Sequence, residues 1–162
     1  MKNLILIRHA KSSWDAPLND FDRPLTKKGI QDAHSVSIEV NKYLPKKYII
    51  WSSQAKRAME TAMIFAQNFN FPIENIQFKT DLYTFDEYKL EQIISSCSDD
   101  IENLIVFGHN EAITNFVNKF GDRFIFNVTT AGFVWITFET NSWKNLSNGK
   151  TTKVIFPKDI QL

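Results

Sequence analysis

Short apolar runs of strand length alternate along the chain with stretches in which apolar residues recur at helical spacing. The runs predict five strands, at residues 4–7, 48–51, 73–78, 104–107 and 133–138. Strands that alternate with helices favour βαβ units, whose parallel strands form a sheet covered on both faces. We therefore expect an α/β fold: a single three-layer domain with a mostly parallel central sheet and helices on both faces.

The helical patterns between the strands predict four helices. They cover residues 30–44, 55–69, 88–97 and 112–120. Thr26 is the expected N-cap of the first helix, because its hydroxyl can accept a hydrogen bond from the first turn. Towards the end of the chain strands no longer alternate with helices. The aromatic-rich residues 124–128 and 132–138 predict an antiparallel pair of strands at one edge of the sheet.

Composition limits the classes of function. The 162 residues suit one domain, residues 1–162, and the 19 basic and 18 acidic residues are spread along it, so we expect no nucleic-acid partner. The apolar run before Arg8 has four residues, too few for a signal-peptide core or a membrane span. Cys97 is the only cysteine, which excludes an internal disulfide and a cysteine-rich zinc site. We expect a cytoplasmic protein without membrane contact.

Polar side chains follow three of the predicted strands at the point where each strand ends. Arg8 and His9 follow the first strand, residues 52–57 follow the second, and His109 follows the fourth. Ligands bind beyond the carboxyl ends of parallel strands. A histidine there is a candidate nucleophile or base, and an arginine offers a planar fork for phosphate. Taken singly, each group is more often structural or solvated, so it is their combination that predicts a phosphate site.

In combination, these segments resemble the histidine phosphatase superfamily, and within it the small SixA-type phosphohistidine phosphatases. Leu6-Ile7-Arg8-His9-Ala10 is similar to the superfamily's Arg-His-Gly signature, with Ala10 in the place of the glycine. The other matching segments are Pro24-Leu25-Thr26-Lys27-Lys28-Gly29, Ser52-Ser53, Arg57-Ala58, Thr61-Ala62, Gly108-His109-Asn110, residues 130–138, Trp143 and residues 156–159. The resemblance covers nearly the whole chain and implies a phosphoglycerate-mutase-like fold.

The resemblance also implies a role for each matching polar residue. His9 would be the nucleophile that becomes phosphohistidine, while Arg8, Arg57 and His109 would bind the phosphoryl oxygens and stabilise charge in the transition state. His9 must then be unprotonated at its reactive nitrogen, whereas His109 beside the phosphate works best as an imidazolium. We expect neither a metal ion nor another cofactor, because the chain offers no clustered carboxylates and no Cys/His set.

Residues 78–87 lack an obvious general acid, which larger superfamily members place in this region. An alkoxide leaving group needs a proton because its parent acid has a pKa of roughly 15.7, whereas imidazole, with a pKa of about 6.5, leaves readily. The sequence therefore favours phosphoramidates such as phosphohistidine as substrates. Four carboxylates remain candidates for the general acid, although solvated carboxylates of this kind more often have no catalytic role: Asp15, Asp20, Asp22 and Glu111.

The substrate stays open at this stage. Ser12 and Asp15 fall where larger phosphatases and mutases have Ser and Asn, so we expect them to bind substrate. The first hypothesis is a phosphatase of protein phosphohistidine, with a phosphotransfer domain as partner. The second is a phosphatase of small phosphomonoesters, and the third is a non-catalytic module that binds phosphorylated proteins. An intact His9 favours an enzyme, because a pure binding module needs no nucleophile.

Overall fold

Six strands form one mixed sheet, in a computed structural model that describes residues 1–160. The strands are β1 (Lys2–Arg8), β2 (Ile49–Ser53), β3 (Gln77–Lys79), β4 (Asn103–Gly108), β5 (Phe133–Phe138) and β6 (Lys150–Ile155). Their order across the sheet is β3-β2-β4-β1-β5-β6. The first four are parallel, and β5 is antiparallel to both β1 and β6. The predicted α/β class, with a mostly parallel sheet and an antiparallel edge, is confirmed.

Four α-helices cover the two faces of this sheet. They are α1 (Lys27–Val40), α2 (Lys56–Phe69), α3 (Glu87–Ser95) and α4 (Ala112–Phe120). Because side chains alternate along a strand, Leu4 and Leu6 of β1 enter the core under α3 and α4, whereas Ile5 and Ile7 enter the core under α1 and α2. None of the helices in the described residues has the length and apolar character needed to cross a membrane.

The first predicted helix is correct at its beginning and wrong in part of its apolar face. The hydroxyl of Thr26 accepts a hydrogen bond from the Gly29 amide at 2.9 Å, so the predicted N-cap is confirmed. Ile30 is the first residue of the helical apolar pattern and was expected to face the core, but it is 42% exposed. Val36, outside that pattern, is buried instead. The third predicted strand, residues 73–78, is also shorter than expected, because Ile73–Asn75 forms a 3-10 turn and the strand begins at Gln77.

The antiparallel edge contains a different strand from the one predicted. Residues 124–128 are not a strand, and β5 pairs instead with β1 and with the more polar β6. The backbone of residues 124–128 is fixed by α4: Asn118 donates to the carbonyl oxygen of Ile125 at 2.7 Å, and the Val128 amide donates to the hydroxyl of Thr114 at 3.0 Å. Side chains of a helix thus satisfy the groups that strand pairing would have used.

Candidate active site

The predicted polar residues meet at one edge of the sheet, where the carboxyl ends of β2, β4 and β1 lie side by side. Arg8 ends β1 and is in register with Gly108 of β4, so His9 and His109 follow neighbouring strands at the same level. Arg57 belongs to the first turn of α2, which follows β2. We call Arg8, His9, Arg57 and His109 the four-residue cluster.

His9 is buried, and its two ring nitrogens have different partners. Nδ1 lies 2.7 Å from the carbonyl oxygen of Ala10. A carbonyl only accepts, so Nδ1 carries the proton in this contact. Nε2 is then the unprotonated nitrogen, and it accepts a hydrogen bond from Nε of Arg57 at 3.3 Å. The Ala10 carbonyl therefore leaves Nε2 as the ring nitrogen with a lone pair.

Arg57 is a buried cation, with 2% of its surface exposed. Its Nη1 donates to the backbone carbonyl of Asp20 at 2.6 Å, and its Nη2 donates to Oδ2 of the same residue at 2.9 Å. Together with the contact from Nε to His9, these bonds give each of its three nitrogens a partner. Burial of a charge is tolerated only when it is paired and hydrogen-bonded, and here Asp20 meets that requirement.

His109 and Arg8 complete the four-residue cluster, and each keeps one buried nitrogen without a partner. The rings of His109 and His9 have centroids 5.3 Å apart, and Nε2 of His109 lies 2.8 Å from the hydroxyl of Ser53. Arg8 donates from Nη1 to the carbonyl oxygen of Val128 at 3.0 Å. Within residues 1–160, Nδ1 of His109 and Nε of Arg8 have no hydrogen-bond partner. Buried polar atoms of this kind need an explanation, and a ligand at this position supplies one.

Burial and neighbouring cations favour the neutral form of both histidines. Burial is the main cause that lowers the pKa of His9, to about 4. The hydrogen bond to Ala10 raises this pKa, and the charges of Arg57 and Arg8 lower it further. Burial, the neighbouring His9 and Arg57 together lower the pKa of His109 to about 2. The adjacent positive charges thus disfavour an imidazolium at His109 in the ligand-free protein, and the imidazolium expected beside a bound phosphate stays a prediction.

Asp20 holds three side chains together, although from the sequence it was only a candidate acid. Its Oδ2 accepts from Nη2 of Arg57 and from the hydroxyl of Tyr83 at 2.6 Å. Its Oδ1 accepts from Nε and Nη2 of Arg23, both at 3.2 Å. Burial raises the pKa of Asp20, but the hydrogen bonds from Tyr83 and Arg57 outweigh it and bring the pKa to about 2. Asp20 is thus an ionised acceptor, unsuited to donate a proton near neutral pH.

The structure does not bring the other predicted residues into the four-residue cluster. The hydroxyl of Ser12 accepts a hydrogen bond from Nη1 of Arg23 at 2.7 Å. Asp15, Asp22 and Glu111 are exposed, and within residues 1–160 their carboxylates form no ion pair. Nearness to His9 in sequence does not fix the direction in which a loop side chain points. Ser12 and Asp15 therefore form no hydrogen bond with the four-residue cluster, although their positions match those of relatives.

Two aromatic residues belong to the site although sequence reasoning did not single them out. The rings of Tyr83 and Phe85 pack against His109, with centroids 5.3 and 5.5 Å away. Both follow β3, and this position after a strand is the sequence feature from which their place in the site could have been predicted. A Cβ atom at Gly108 would meet only Cδ1 of Ile113, at 3.7 Å, so the packing of the protein itself does not require glycine there.

The chemistry of the cluster suits a phosphoryl group. Two guanidinium groups flank a neutral imidazole, and phosphoryl transfer depends on positioning and on concentrated positive charge. Among residues 1–160, no group of three or more His, Cys, Asp or Glu side chains is arranged to hold a metal ion.

Comparison of sequences identifies two matches. A family model described as the histidine phosphatase superfamily (branch 1) matches residues 4–83. An uncharacterized chloroplastic protein of Arabidopsis thaliana is 38% identical to the chain over 121 residues. That alignment covers 68% of the chain and 55% of the plant protein, so the chain spans about half the length of this relative.

Comparison of structures finds the same fold at low sequence identity. The protein histidine phosphatase SixA complexed with tungstate has a TM-score of 0.83 at 16% identity, covering 98% of this chain and 99% of that one. A proposed phosphohistidine phosphatase SixA from Nakamurella multipartitia has a TM-score of 0.80 at 18% identity, covering 96% of each chain. A proposed SixA from Agrobacterium tumefaciens has a TM-score of 0.78 at 21% identity, covering 95% and 97%. At these identities the likeness shows the fold.

Proposed function

We propose that the chain is a member of the histidine phosphatase superfamily, whose family model matches residues 4–83. In this proposal it is a phosphatase that forms a covalent phosphohistidine on His9 and acts on protein phosphohistidine without a metal ion or other cofactor. The relatives of the same fold that are called phosphohistidine phosphatases support this substrate class. The observation that carries it is the set of hydrogen bonds that Arg57, Tyr83 and Arg23 donate to the carboxylate of Asp20, because these bonds lower the pKa of that group.

In the first step of the proposed reaction, Nε2 of His9 attacks phosphorus, and the bond between phosphorus and the leaving group breaks as the Nε2–P bond forms. Nε of Arg57 already lies 3.3 Å from Nε2 of His9. A phosphoryl group that enters between them replaces this contact and receives hydrogen bonds from the guanidinium. The unpartnered nitrogens of Arg8 and His109 supply further donors, and the phosphoryl charge would raise the pKa of His109 and favour its protonated form.

In the second step a water molecule attacks phosphorus, the Nε2–P bond breaks, and inorganic phosphate leaves. His9 recovers the electron pair on Nε2. While phosphorus is bound at Nε2, the proton on Nδ1 makes the ring cationic, and the carbonyl oxygen of Ala10, 2.7 Å from Nδ1, stabilises that charge. A cationic ring is a good leaving group, so the same contact that selects the nucleophile also assists its release.

The leaving group of the first step distinguishes the substrate classes. An alkoxide needs a proton donor, and Asp20 cannot provide one because its pKa is about 2. The imidazole of a phosphohistidine leaves without strong assistance, since its conjugate acid has a pKa of about 6.5. A site that holds its nearest carboxylate ionised is therefore better matched to phosphohistidine than to sugar or alkyl phosphates.

Exposed aromatic side chains beside the site support a protein as the substrate. Trp14 is 76% exposed and stacks on Arg23, and Phe85 is 52% exposed and packs against His109. Each of these exposed rings thus lies next to a residue of the site or of its supporting contacts, and exposed apolar surface of this kind favours a protein as binding partner. The proposed partner is a phosphotransfer domain, and the proposed location is the cytoplasm, whose reducing conditions suit the free thiol of Cys97.

A comparison of substrates tests the proposed function. Initial rates of phosphate release should be highest for a phosphohistidine protein, should fall steeply along a series of aryl phosphates as the pKa of the leaving group rises, and should be lowest for alkyl phosphates. Excess chelator should leave all rates unchanged. Equal rates on alkyl phosphates would favour small phosphomonoesters as substrates, and a requirement for a divalent ion would contradict the metal-independent mechanism.

The control for this experiment is His9→Ala, which should show no turnover because no neighbouring group replaces the covalent step. When the wild-type protein is mixed with substrate and quenched rapidly in base, acid-labile phosphate should be found on His9. Phosphate on His109 would reverse the assigned roles. Tight binding of the phosphoprotein by the wild type without any turnover would favour a binding module.

A further inference from the structure

We propose that Asp20 is a positioning residue, which orients Arg57 for phosphoryl transfer and competes with the phosphoryl group for the same guanidinium. The proposal rests on the proposed function of the four-residue cluster and adds a residue to it. Two of the three nitrogens of Arg57 are bound by Asp20, one through the backbone carbonyl and one through the carboxylate.

The geometry of these bonds fixes the direction of the remaining nitrogen. A guanidinium is planar, so bonds at Nη1 and Nη2 determine where Nε points. With 2.6 Å and 2.9 Å contacts to Asp20, Nε of Arg57 is directed at Nε2 of His9, 3.3 Å away. Without the carboxylate, the end of the arginine side chain can rotate and Nε loses its alignment with the nucleophile.

Asp20 is itself held by two further side chains. Tyr83 donates to Oδ2 at 2.6 Å, and Arg23 donates twice to Oδ1 at 3.2 Å. Arg23 is 6% exposed and lies under the ring of Trp14, with its guanidinium carbon 3.4 Å from the ring centroid. The carboxylate is thus a fixed reference point, and small misplacements of a positioning group cost up to about a hundredfold in rate.

The negative charge of Asp20 has a second and opposite effect. An anion 2.9 Å from Nη2 of Arg57 partly neutralises the cation that binds the phosphoryl oxygens, and it repels those oxygens directly. Removing the charge should therefore strengthen the binding of inorganic phosphate while it weakens catalysis. A loss of folding in the loop would weaken both, so the two effects can be separated.

The test compares Asp20→Asn with Asp22→Asn, which removes an exposed carboxylate two residues away in the same loop. For Asp20→Asn we expect kcat to fall about tenfold to a hundredfold, by a similar factor for phosphohistidine and for aryl phosphates. Phosphate as a product inhibitor should bind at least as tightly as to the wild type. Tyr83→Phe, which removes one bond to the carboxylate but keeps its charge, should lower kcat by less than Asp20→Asn and should not strengthen the binding of phosphate. Asp22→Asn should match the wild type.

A measurement that does not need turnover keeps this proposal separate from the proposed function. In nitrogen-15 NMR spectra, the Nε–H resonance of Arg57 should be sharp in the wild type and broadened in Asp20→Asn, because the side chain is no longer fixed. An unchanged resonance, or phosphate binding that weakens in parallel with kcat, would overturn the proposal. A rate loss confined to substrates with poor leaving groups would overturn it as well, because Asp20 would then be an acid.

Discussion

Arg57 and His9 lie side by side with little exposure to solvent, and this arrangement determines the chemistry of each. The guanidinium donates to Nε2 of His9, and the Ala10 carbonyl accepts from Nδ1, so the imidazole is held in one tautomer. Burial and the adjacent charges lower its pKa to about 4. The proposed nucleophile is therefore unprotonated and oriented before any substrate arrives, which is the preorganisation that phosphoryl transfer requires.

Replacing Arg57 by alanine should remove about 2–4 kcal/mol of transition-state stabilisation, comparable with the loss of one fixed donor in other enzymes. The physical reason is that the alanine leaves no cation beside Nε2 of His9. The measurement is kcat/KM of Arg57→Ala with a phosphohistidine substrate. The matched control is Lys56→Ala, which removes an exposed cation from the preceding position and should change kcat/KM little. Equal losses in the two variants would mean that Arg57 does not bind the phosphoryl group.

The sequence predicts the four-residue cluster because strand ends are visible in a single chain. Each member ends a strand, follows one or lies in the first turn of the next helix, and parallel strands bring such positions to one edge. The role of Asp20 could not be predicted in this way. It lies 37 residues from Arg57, in a loop that also carries Asp15 and Asp22. Contacts with Arg23 and Tyr83 decide which of these similar carboxylates points inward.

At the level of elements, the beginning of α1 is packed against the loop that follows His9. The carbonyl oxygen of Lys11 accepts a hydrogen bond from the Thr26 amide at 2.9 Å, and a Cβ atom at Gly29 would overlap that same oxygen. Only glycine fits at this approach, since backbone atoms cannot move aside as the end of a flexible side chain can. Thr26 and Gly29 thus join the beginning of α1 to the loop that follows His9.

We expect Gly29→Ala to lower the free energy of unfolding by about 1–2 kcal/mol. Alanine favours a helix over glycine by about 1 kcal/mol, but overpacking against a fixed group costs about 1–3 kcal/mol, and the overlap with Lys11 is with backbone. The measurement is urea unfolding at neutral pH. Gly108→Ala is the control, because its Cβ would make an ordinary contact of 3.7 Å with Ile113. Equal destabilisation by both variants would contradict the close approach as the cause.

The elements of the parallel part of the sheet could be predicted because their strands are continuous apolar runs with helices between them. The antiparallel edge could not. Residues 124–128 have the aromatic and branched composition of a strand, yet Phe124 and Phe126 are 78% and 89% exposed. The Lys150–Ile155 strand is more polar, because an edge strand has few neighbours to pack against. Which segment pairs with β5 depends on contacts with Asn118 and Thr114 that composition does not contain.

For the whole molecule, the two buried histidines make stability depend on pH. Unfolded histidine has a pKa of about 6.5, whereas the folded values are about 4 for His9 and about 2 for His109. Between pH 6.5 and 4 the unfolded chain therefore binds more protons than the folded protein. Linkage then requires stability to be complete above about pH 6.5 and to fall as the pH is lowered towards 4.

The free energy of unfolding should fall by roughly 2–4 kcal/mol between pH 7 and pH 4 through His9 alone, since one pKa unit corresponds to about 1.4 kcal/mol. Urea unfolding at several pH values measures this. His9→Gln and His109→Gln should each flatten the dependence, whereas His34→Gln, outside the site, should keep the wild-type slope. The contribution of Asp20, whose pKa is about 2, is lost only below about pH 4 and lies outside this window. A wild-type stability that is constant down to pH 4 would show that the histidines are not held neutral by the fold.

The position of β1 in the centre of the sheet has a consequence for the order of events during synthesis. Asn3 lies opposite Asn103 on one side and opposite Thr137 on the other. At a ribosomal rate of about 5–20 residues per second, β1 waits roughly 5–20 s for β4 and longer for β5. Its apolar residues have no strand partner during that time, which is the condition under which nascent chains need protection from aggregation. The strand that His9 follows is made before the two strands that flank it, and its environment is completed only after β5 has emerged.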